Sequence, residues 1–115
     1  MNLVESFNQY RSQMNERILS GNDKIIRRIF NLDTNAYADG ALDKKTKELI
    51  GLTCSLVLKC DDCVKYHLGK CHELKYSKEE VMEAMSVATL IGGTILIPHL
   101  RRAVEYWDEL SEHVS

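Results

Sequence analysis

The stretch that decides the fold is Cys60-Asp61-Asp62-Cys63-Val64-Lys65-Tyr66-His67. It contains two cysteines three positions apart and a histidine four positions after the second cysteine. If this stretch opens an α-helix, Cys63 and His67 lie one above the other on the same face. A thiol beside an imidazole at the start of a helix is typical of a redox or nucleophilic site.

Helical patterns lie on both sides of this stretch, and none of the remaining sequence alternates with the period of two expected of strands. Ser77 and Glu80 form the pattern of a capping box, and Gly92-Gly93 marks a hinge. The first predicted helix spans about 3–19, and the second runs from a cap at Asn22 or Asp23 toward Ala38. The third spans about 44–58, and the fourth runs from Cys60 or Asp61 to Leu74. The fifth spans about 78–91, and a last helix after the hinge reaches about Glu112. We therefore predict an all-α protein, with residues 1–115 forming one domain of five or six helices.

Composition excludes several classes of protein. The chain has 115 residues, 44% of them hydrophobic, and a formal net charge of −2. Basic pairs such as Arg27-Arg28 and Arg101-Arg102 are too short to indicate nucleic-acid binding, and they predict exposed helix faces. The apolar stretch from Leu90 to Leu100 is short and broken by glycine and proline, so no membrane span is expected. The N-terminus lacks the pattern of a secretory signal, and we expect a cytoplasmic protein.

The third and fourth helices are predicted to form a central antiparallel hairpin, because the loop between them is short. Residues at equal height on the two helices then have numbers that sum to about 117. Glu48 lies within one turn of His67 in this register. Glu48, Gly51, Leu52 and Ser55 share one stripe of the third helix, and the small residues Gly51 and Ser55 allow close approach of the fourth helix.

Four residues thus form the candidate site: Cys60, Cys63, His67 and Glu48. Glu48 can orient His67, and His67 can accept the proton of Cys63, which converts the thiol to its reactive thiolate form. The other cysteine can resolve a sulfenic acid or a mixed disulfide. Asp61 and Asp62 work against a thiolate, because nearby negative charge raises the pKa of a thiol.

Two other readings of these residues remain open. Cys60, Cys63, His67 and either Cys71 or His72 offer four zinc ligands, although structural zinc usually takes its ligands from two separate segments. The same residues could also be structural. Cys54 and Cys71 are expected to pack as small hydrophobic side chains, Tyr66 is expected to pack, and His72, His99 and His113 are expected at the surface or at helix caps.

The segment Lys44 to Ile50, the Cys-x-x-Cys-x-x-x-His pattern and the capped helix that ends in Gly-Gly resemble the carboxymuconolactone decarboxylase family. The similarity covers about residues 25–110 and is closest to the alkylhydroperoxidase D-like (AhpD-like) branch. The spacing from Glu48 to Cys60, Cys63 and His67 is its most specific part. AhpD has a histidine between its two cysteines, next to the second, where this chain has Asp62.

The resemblance implies an all-helical fold that assembles into trimers or hexamers. It implies a thiol-dependent peroxidase or disulfide oxidoreductase, with Glu48 and His67 as proton-relay residues and Cys60 and Cys63 as the redox pair. The expected substrate is a peroxide or a disulfide, the expected reductant is a thiol, and no other cofactor is expected. The alternatives are lactone decarboxylation, which needs no thiols, and a zinc-stabilised module without enzyme activity.

Self-association is also expected from the apolar content of the fifth and sixth helices. Several large apolar residues lie on or near these helices, more than one core requires. They are Met82, Met85, Ile91, Ile95 and Ile97.

Overall fold

The computed structural model describes residues 2–112, which contain six α-helices and no strand. All the predicted helices are confirmed, with ends within two residues of the prediction. The helices are α1 (Leu3–Leu19), α2 (Lys24–Ala36), α3 (Lys44–Val57), α4 (Asp61–Glu73), α5 (Lys78–Gly92) and α6 (Ile97–Glu112), with a 3₁₀ turn at Thr94–Leu96 before α6. His113 lies outside the described residues.

The turn between α3 and α4 fixes the position of the cysteine motif. Lys59 adopts a left-handed conformation with φ of 60°. Its N–H donates to the carbonyl of Leu56 (3.0 Å), and the N–H of Cys60 donates to the carbonyl of Ser55 (3.1 Å). These two bonds form the Schellman motif that commonly ends a helix. Cys60 therefore both closes α3 and occupies the N-cap of α4.

The buried face of α3 is the predicted stripe. Glu48, Gly51, Leu52 and Ser55 are all buried, together with Leu56. Ile50 and Cys54, which are not part of this stripe, are exposed. One side of α3 therefore faces outward in the isolated chain.

The hydrophobic core lies where α3, α4, α5 and α6 meet. Leu52 and Leu56 from α3 pack with Leu68 and Cys71 from α4, and with further buried residues of α5 and α6. The predicted capping box at Ser77 and Glu80 is present at the start of α5. Gly93 ends that helix with φ of +90°, a conformation that favours glycine.

α1 covers one side of this core through α6. The ring of Phe7 meets the ring of Tyr106 edge-on at 5.9 Å between centroids. The backbone N–H of Leu3 donates to the carboxylate of Glu109 (2.6 Å). These contacts position the rest of α1 opposite the first turns of α4.

α2 leaves an apolar stripe uncovered. Ile25 and Leu32 are 60% and 69% exposed, and no residue of α2 is buried. Ile91 and Ile95 are also exposed, as the excess of apolar residues predicted. Met85 is not part of that excess, because it is fully buried in the core.

No helix within residues 2–112 is both long enough and apolar enough to cross a membrane.

Replacing Leu68 tests the core. Leu68 is fully buried, so Leu68→Ala is expected to lower the free energy of unfolding by about 2–5 kcal/mol. Leu58 is 77% exposed, and Leu58→Ala is expected to change it by less than about 0.5 kcal/mol. Urea unfolding followed by circular dichroism measures both, and similar losses in the two variants would contradict this description of the core.

Candidate redox site

Glu48 and His67 meet across the α3–α4 hairpin. Oε2 of Glu48 lies 3.4 Å from Nδ1 of His67, and Glu48 is only 1% exposed. A carboxylate only accepts hydrogen bonds, so Nδ1 is the ring nitrogen that carries a hydrogen toward Glu48. The register predicted from the loop length is thus the register of the structure.

The other nitrogen of His67 faces a residue that the sequence analysis missed. The hydroxyl of Tyr37 lies 3.4 Å from Nε2 of His67, and the two ring centroids are 5.3 Å apart. Tyr37 is the C-cap of α2, thirty positions before the histidine. No motif or helical spacing connects these two positions, so sequence alone gave no signal for this contact.

Gly51 lies against the ring of His67 and the hydroxyl of Tyr37. A Cβ atom at position 51 would lie 2.6 Å from Cε1 of His67 and 2.8 Å from the Tyr37 hydroxyl. Real Cβ atoms do not approach other heavy atoms so closely, and any side chain here would push the imidazole or the phenol away. The close packing therefore accounts for a glycine inside a helix, where it costs about 1 kcal/mol relative to alanine.

Cys60 and Cys63 are joined by a disulfide, with their Cα atoms 5.2 Å apart. Cys60 is at the N-cap of α4, and its sulfur accepts a hydrogen bond from the N–H of Cys63 (3.3 Å). Cys63 is exposed, whereas Cys60 is half-buried. The outer sulfur of the pair is therefore that of Cys63.

A cavity of about 770 Å³ opens beside Cys63 and His67, between α1 and α4. Its α4 side carries Asp62, Cys63 and His67. Its α1 side combines apolar with polar side chains: Leu3, Phe7, Tyr10 and Met14 with Ser6, Arg11 and Asn15. An amphipathic molecule therefore suits the side of the cavity that faces Cys63.

Asp61 and Asp62, the two acids predicted to oppose a thiolate, differ in the structure. Asp61 accepts from Nδ1 of His99 (2.7 Å) and from Nε of Arg102 (2.6 Å), both on α6. Burial raises the pKa of Asp61, but these hydrogen bonds and the charges of the two partners outweigh that effect, so the pKa lies below its usual value. His99 is therefore paired with Asp61 rather than free at the surface. Arg102, which was expected only on an exposed helix face, also binds Asp61.

Of four other side chains whose surroundings were predicted, two lie as expected and two do not. Cys54 is exposed rather than packed as a small hydrophobic residue. Cys71 is buried as expected, and burial together with the charge of Glu48 raises its pKa to about 12. His72 packs edge-on against Trp107 rather than lying free at the surface. Tyr66 packs as expected, beneath the Arg11 guanidinium at 4.1 Å.

The possible zinc ligands are not gathered into one site. Cys71 is in the core and His72 lies against Trp107, whereas Cys60 and Cys63 are bonded to each other at the far end of α4. Among residues 2–112, no three His, Cys, Asp or Glu side chains are grouped so as to hold a metal ion.

Replacing Asp61 tests the link between α4 and α6. Because the pKa of Asp61 is lowered in the folded chain, its charged form stabilises the fold above its unfolded pKa of about 3.9. That stabilisation is lost as the pH falls through the folded pKa. Urea unfolding between about pH 6 and pH 3 should therefore show a smaller loss of stability for Asp61→Asn than for the wild type.

Asp62→Asn is the matched control, because Asp62 is adjacent but exposed and is not paired with His99 or Arg102. An Asp61→Asn variant that loses as much stability on acidification as the Asp62→Asn variant would contradict this assignment.

Similar proteins were found by sequence and by structure. A model of the carboxymuconolactone decarboxylase family matches residues 24–106. A crystal structure of a protein of that family from Thermotoga maritima, described with a possible involvement in antioxidative response, superposes with a TM-score of 0.89 at 48% identity, over 93% of this chain and 91% of that chain. One from Legionella pneumophila, a carboxymuconolactone decarboxylase family protein, gives 0.76 at 26% identity, over 94% and 93% of the two chains. An uncharacterised protein in the cox locus of Paracoccus denitrificans is 34% identical over 74 residues, which are 64% of this chain and 67% of that protein.

Proposed function

This chain belongs to the carboxymuconolactone decarboxylase family, and from the geometry of its site we propose that it is a thiol-dependent peroxidase and disulfide oxidoreductase. The observation that carries the proposal is the Cys60–Cys63 disulfide at the start of α4, one turn from a histidine paired with a buried glutamate. The possible involvement of the similar Thermotoga maritima protein in antioxidative response agrees with this proposal.

The oxidative half of the reaction begins at Cys63, which is exposed and lines the cavity. Its thiolate attacks one oxygen of a peroxide, so that the O–O bond breaks and the other oxygen leaves as an alcohol or as water after protonation. The product is a sulfenic acid on Cys63. Cys60 then attacks that sulfur, which forms the disulfide and releases water.

The reductive half consumes two external thiols. The thiolate of the first attacks the exposed sulfur of Cys63, and the S–S bond breaks with Cys60 as the leaving thiolate. Cys60 is suited to leave, since the positive end of the helix dipole and the N–H of Cys63 stabilise a negative charge at the N-cap. The second external thiol releases the first as a disulfide and restores Cys63. The greater exposure of Cys63 favours attack there rather than at Cys60.

Glu48 and His67 supply proton transfer in both halves. Nε2 of His67 accepts the proton of the reacting thiol and returns it to the leaving group, while Glu48 holds the ring through Nδ1. The negative charge of Asp61 is offset by His99 and Arg102, which removes one of the two acids that would disfavour a thiolate. No other cofactor is needed, and we propose the cytoplasm, with its thiol pool, as the place of action.

Cysteine replacements test this function. In a peroxide-consumption assay with an excess of thiol, Cys63→Ser is expected to abolish activity, because no thiolate faces the peroxide. Cys60→Ser is expected to slow turnover, because the sulfenic acid on Cys63 must then react with an external thiol instead of the neighbouring cysteine. The exposed Cys54 supplies the control, and Cys54→Ser should keep the wild-type rate. Equal rates in all four proteins would rule the mechanism out.

Replacing Glu48 tests the relay. Glu48→Gln keeps the shape of the side chain but removes its charge, so the rate is expected to fall by about 100-fold, within the range that acid–base catalysis contributes. The exposed Glu83 provides a control, and Glu83→Gln should leave the rate unchanged. A full rate in Glu48→Gln, with His67 still intact, would show that Glu48 takes no part in proton transfer.

We also propose that the chain associates with copies of itself through the apolar stripe of α2 and the exposed residues near the end of α5. A stripe as exposed as Ile25, Ile29 and Leu32 is unusual for a helix that remains in water. Light scattering after gel filtration is expected to give the mass of a trimer or a hexamer. Ile29→Lys should lower that mass, and a wild-type protein that is monomeric at all concentrations would contradict self-association.

Lactone decarboxylation is the second candidate, because the family name carries that activity and a Glu–His pair can act as acid and base without thiols. The two functions differ in their need for sulfur. A decarboxylase would keep its activity in the Cys60→Ser and Cys63→Ser variants, whereas a peroxidase would not.

A further inference from the structure

Both ring nitrogens of His67 are held by side chains from other elements. Nδ1 faces Glu48 on α3, and Nε2 faces the hydroxyl of Tyr37 at the end of α2, each at 3.4 Å. Within residues 2–112 the structure records no other hydrogen bond to this ring. Each of the two ring nitrogens is therefore held by one side chain.

The direction of each hydrogen bond follows from the chemistry of the partners. Nδ1 donates to the carboxylate of Glu48, so in the neutral ring Nε2 has the free lone pair and the Tyr37 hydroxyl donates to it. Burial, followed by the charges of Glu48 and Asp33, raises the pKa of Tyr37 above its usual value. The phenol consequently keeps its proton, and its role as donor, throughout the neutral range.

Two hydrogen bonds attach the segment just after Tyr37 to α3. The carbonyl of Ala38, the next residue, accepts from Nζ of Lys47 (2.7 Å). The side chain of Asp39 accepts from the N–H of Lys44 (2.7 Å). Both donors lie in the first turn of α3, so the segment that carries Tyr37 is attached to the helix that carries Glu48 and Gly51.

Gly51 completes the arrangement. A Cβ atom there would lie 2.8 Å from both Nε2 of His67 and the Tyr37 hydroxyl, at the point where the hydrogen bond forms. The absence of a side chain at Gly51 therefore leaves room for the hydrogen bond between the Tyr37 hydroxyl and Nε2 of His67. It also allows α3 and α4 to approach each other closely.

We propose that Tyr37 is a positioning residue of the redox site, whose hydroxyl holds His67 in the tautomer with an unprotonated Nε2, the form that can accept the proton of the reacting thiol once the hydroxyl turns away. This inference rests on the proposed thiol chemistry. It adds a third element, α2, to a relay that the sequence confined to α3 and α4. In the oxidised form Cys63 has no proton to give, and the Tyr37 hydroxyl occupies the accepting position on Nε2 until reduction restores the thiol.

Other charged or titratable groups surround the imidazole without bonding to it. The Tyr66 ring lies 5.2 Å away on α4, beneath the Arg11 guanidinium from α1. Asp33 of α2 and Asp62 of α4 line the same cavity. Tyr37→Phe leaves each of these side chains in place and removes only the hydroxyl that faces Nε2, so a change in pH dependence reports on that bond.

Tyr37→Phe tests the inference, with Tyr76→Phe as the matched control. The Tyr76 hydroxyl also bonds to α3, donating to the carbonyl of Lys45 (3.0 Å), but it does not contact His67. Tyr37→Phe is expected to lower the turnover rate between about twofold and tenfold, the range that corresponds to one hydrogen bond. The acidic limb of its pH–rate profile should shift to higher pH, because the neutral imidazole loses a donor. Tyr76→Phe should lose stability but keep the wild-type profile.

A result with identical rates and pH profiles for Tyr37→Phe and the wild type would overturn the proposal. If Tyr37→Phe does not fold, Gly51→Ala serves as the second variant, since its Cβ separates the two rings. Its profile should shift in the same direction, and an unshifted profile would overturn the proposal.

The ¹⁵N chemical shifts of the His67 ring separate this inference from the proposed function, because they need no turnover. The wild type should show a protonated Nδ1 and a hydrogen-bonded, unprotonated Nε2, and Tyr37→Phe should move only the Nε2 signal by a large amount. An inactive wild type with this pattern would refute the proposed function but not the positioning. An Nε2 signal that does not respond to Tyr37→Phe would refute the positioning, whatever the activity.

Discussion

Glu48 is a carboxylate withdrawn almost completely from water, and the structure gives it His67 as its side-chain partner. A buried charge is costly unless it is paired or hydrogen bonded, so this contact limits how α3 and α4 can pack. A change of register by one residue would turn Glu48 away from His67. The Schellman turn at Lys59 sets that register, and the small side of α3 at Gly51 and Ser55 brings the helices close enough for it.

The remaining elements act on this hairpin from outside. α6 holds the first turn of α4 through His99 and Arg102, which bind Asp61 beside the disulfide. α1 supplies the wall opposite Cys63. α2 contributes Tyr37 at its end and leaves its own apolar stripe uncovered. The core stabilises the fold, and the contributions of α6, α1 and α2 determine which side chains surround the Cys60–Cys63 pair and His67.

Much of this could be predicted from local sequence rules. The helices followed from apolar periodicity and caps, and the contact of Glu48 with His67 followed from a short loop and the rise of two antiparallel helices. Contacts between distant elements could not be predicted in this way. Tyr37 reaches His67, and His99 reaches Asp61, only because of how α2 and α6 pack, and no spacing in the chain encodes those distances. The exposure of Cys54 could not be predicted for a related reason, since the packing of the other helices decides which side of α3 is covered.

In the proposed mechanism, Cys60 and Cys63 interconvert between dithiol and disulfide as the protein works. Thiol titration of the reduced protein before and after one equivalent of peroxide, with mass spectrometry of the digested protein, tests this interconversion. Two thiols per chain should disappear, one peptide pair should be linked through Cys60 and Cys63, and added thiol should reverse both changes. Peroxide treatment that leaves all four thiols free, or that oxidises Cys54 while Cys60 and Cys63 stay reduced, would contradict this mechanism.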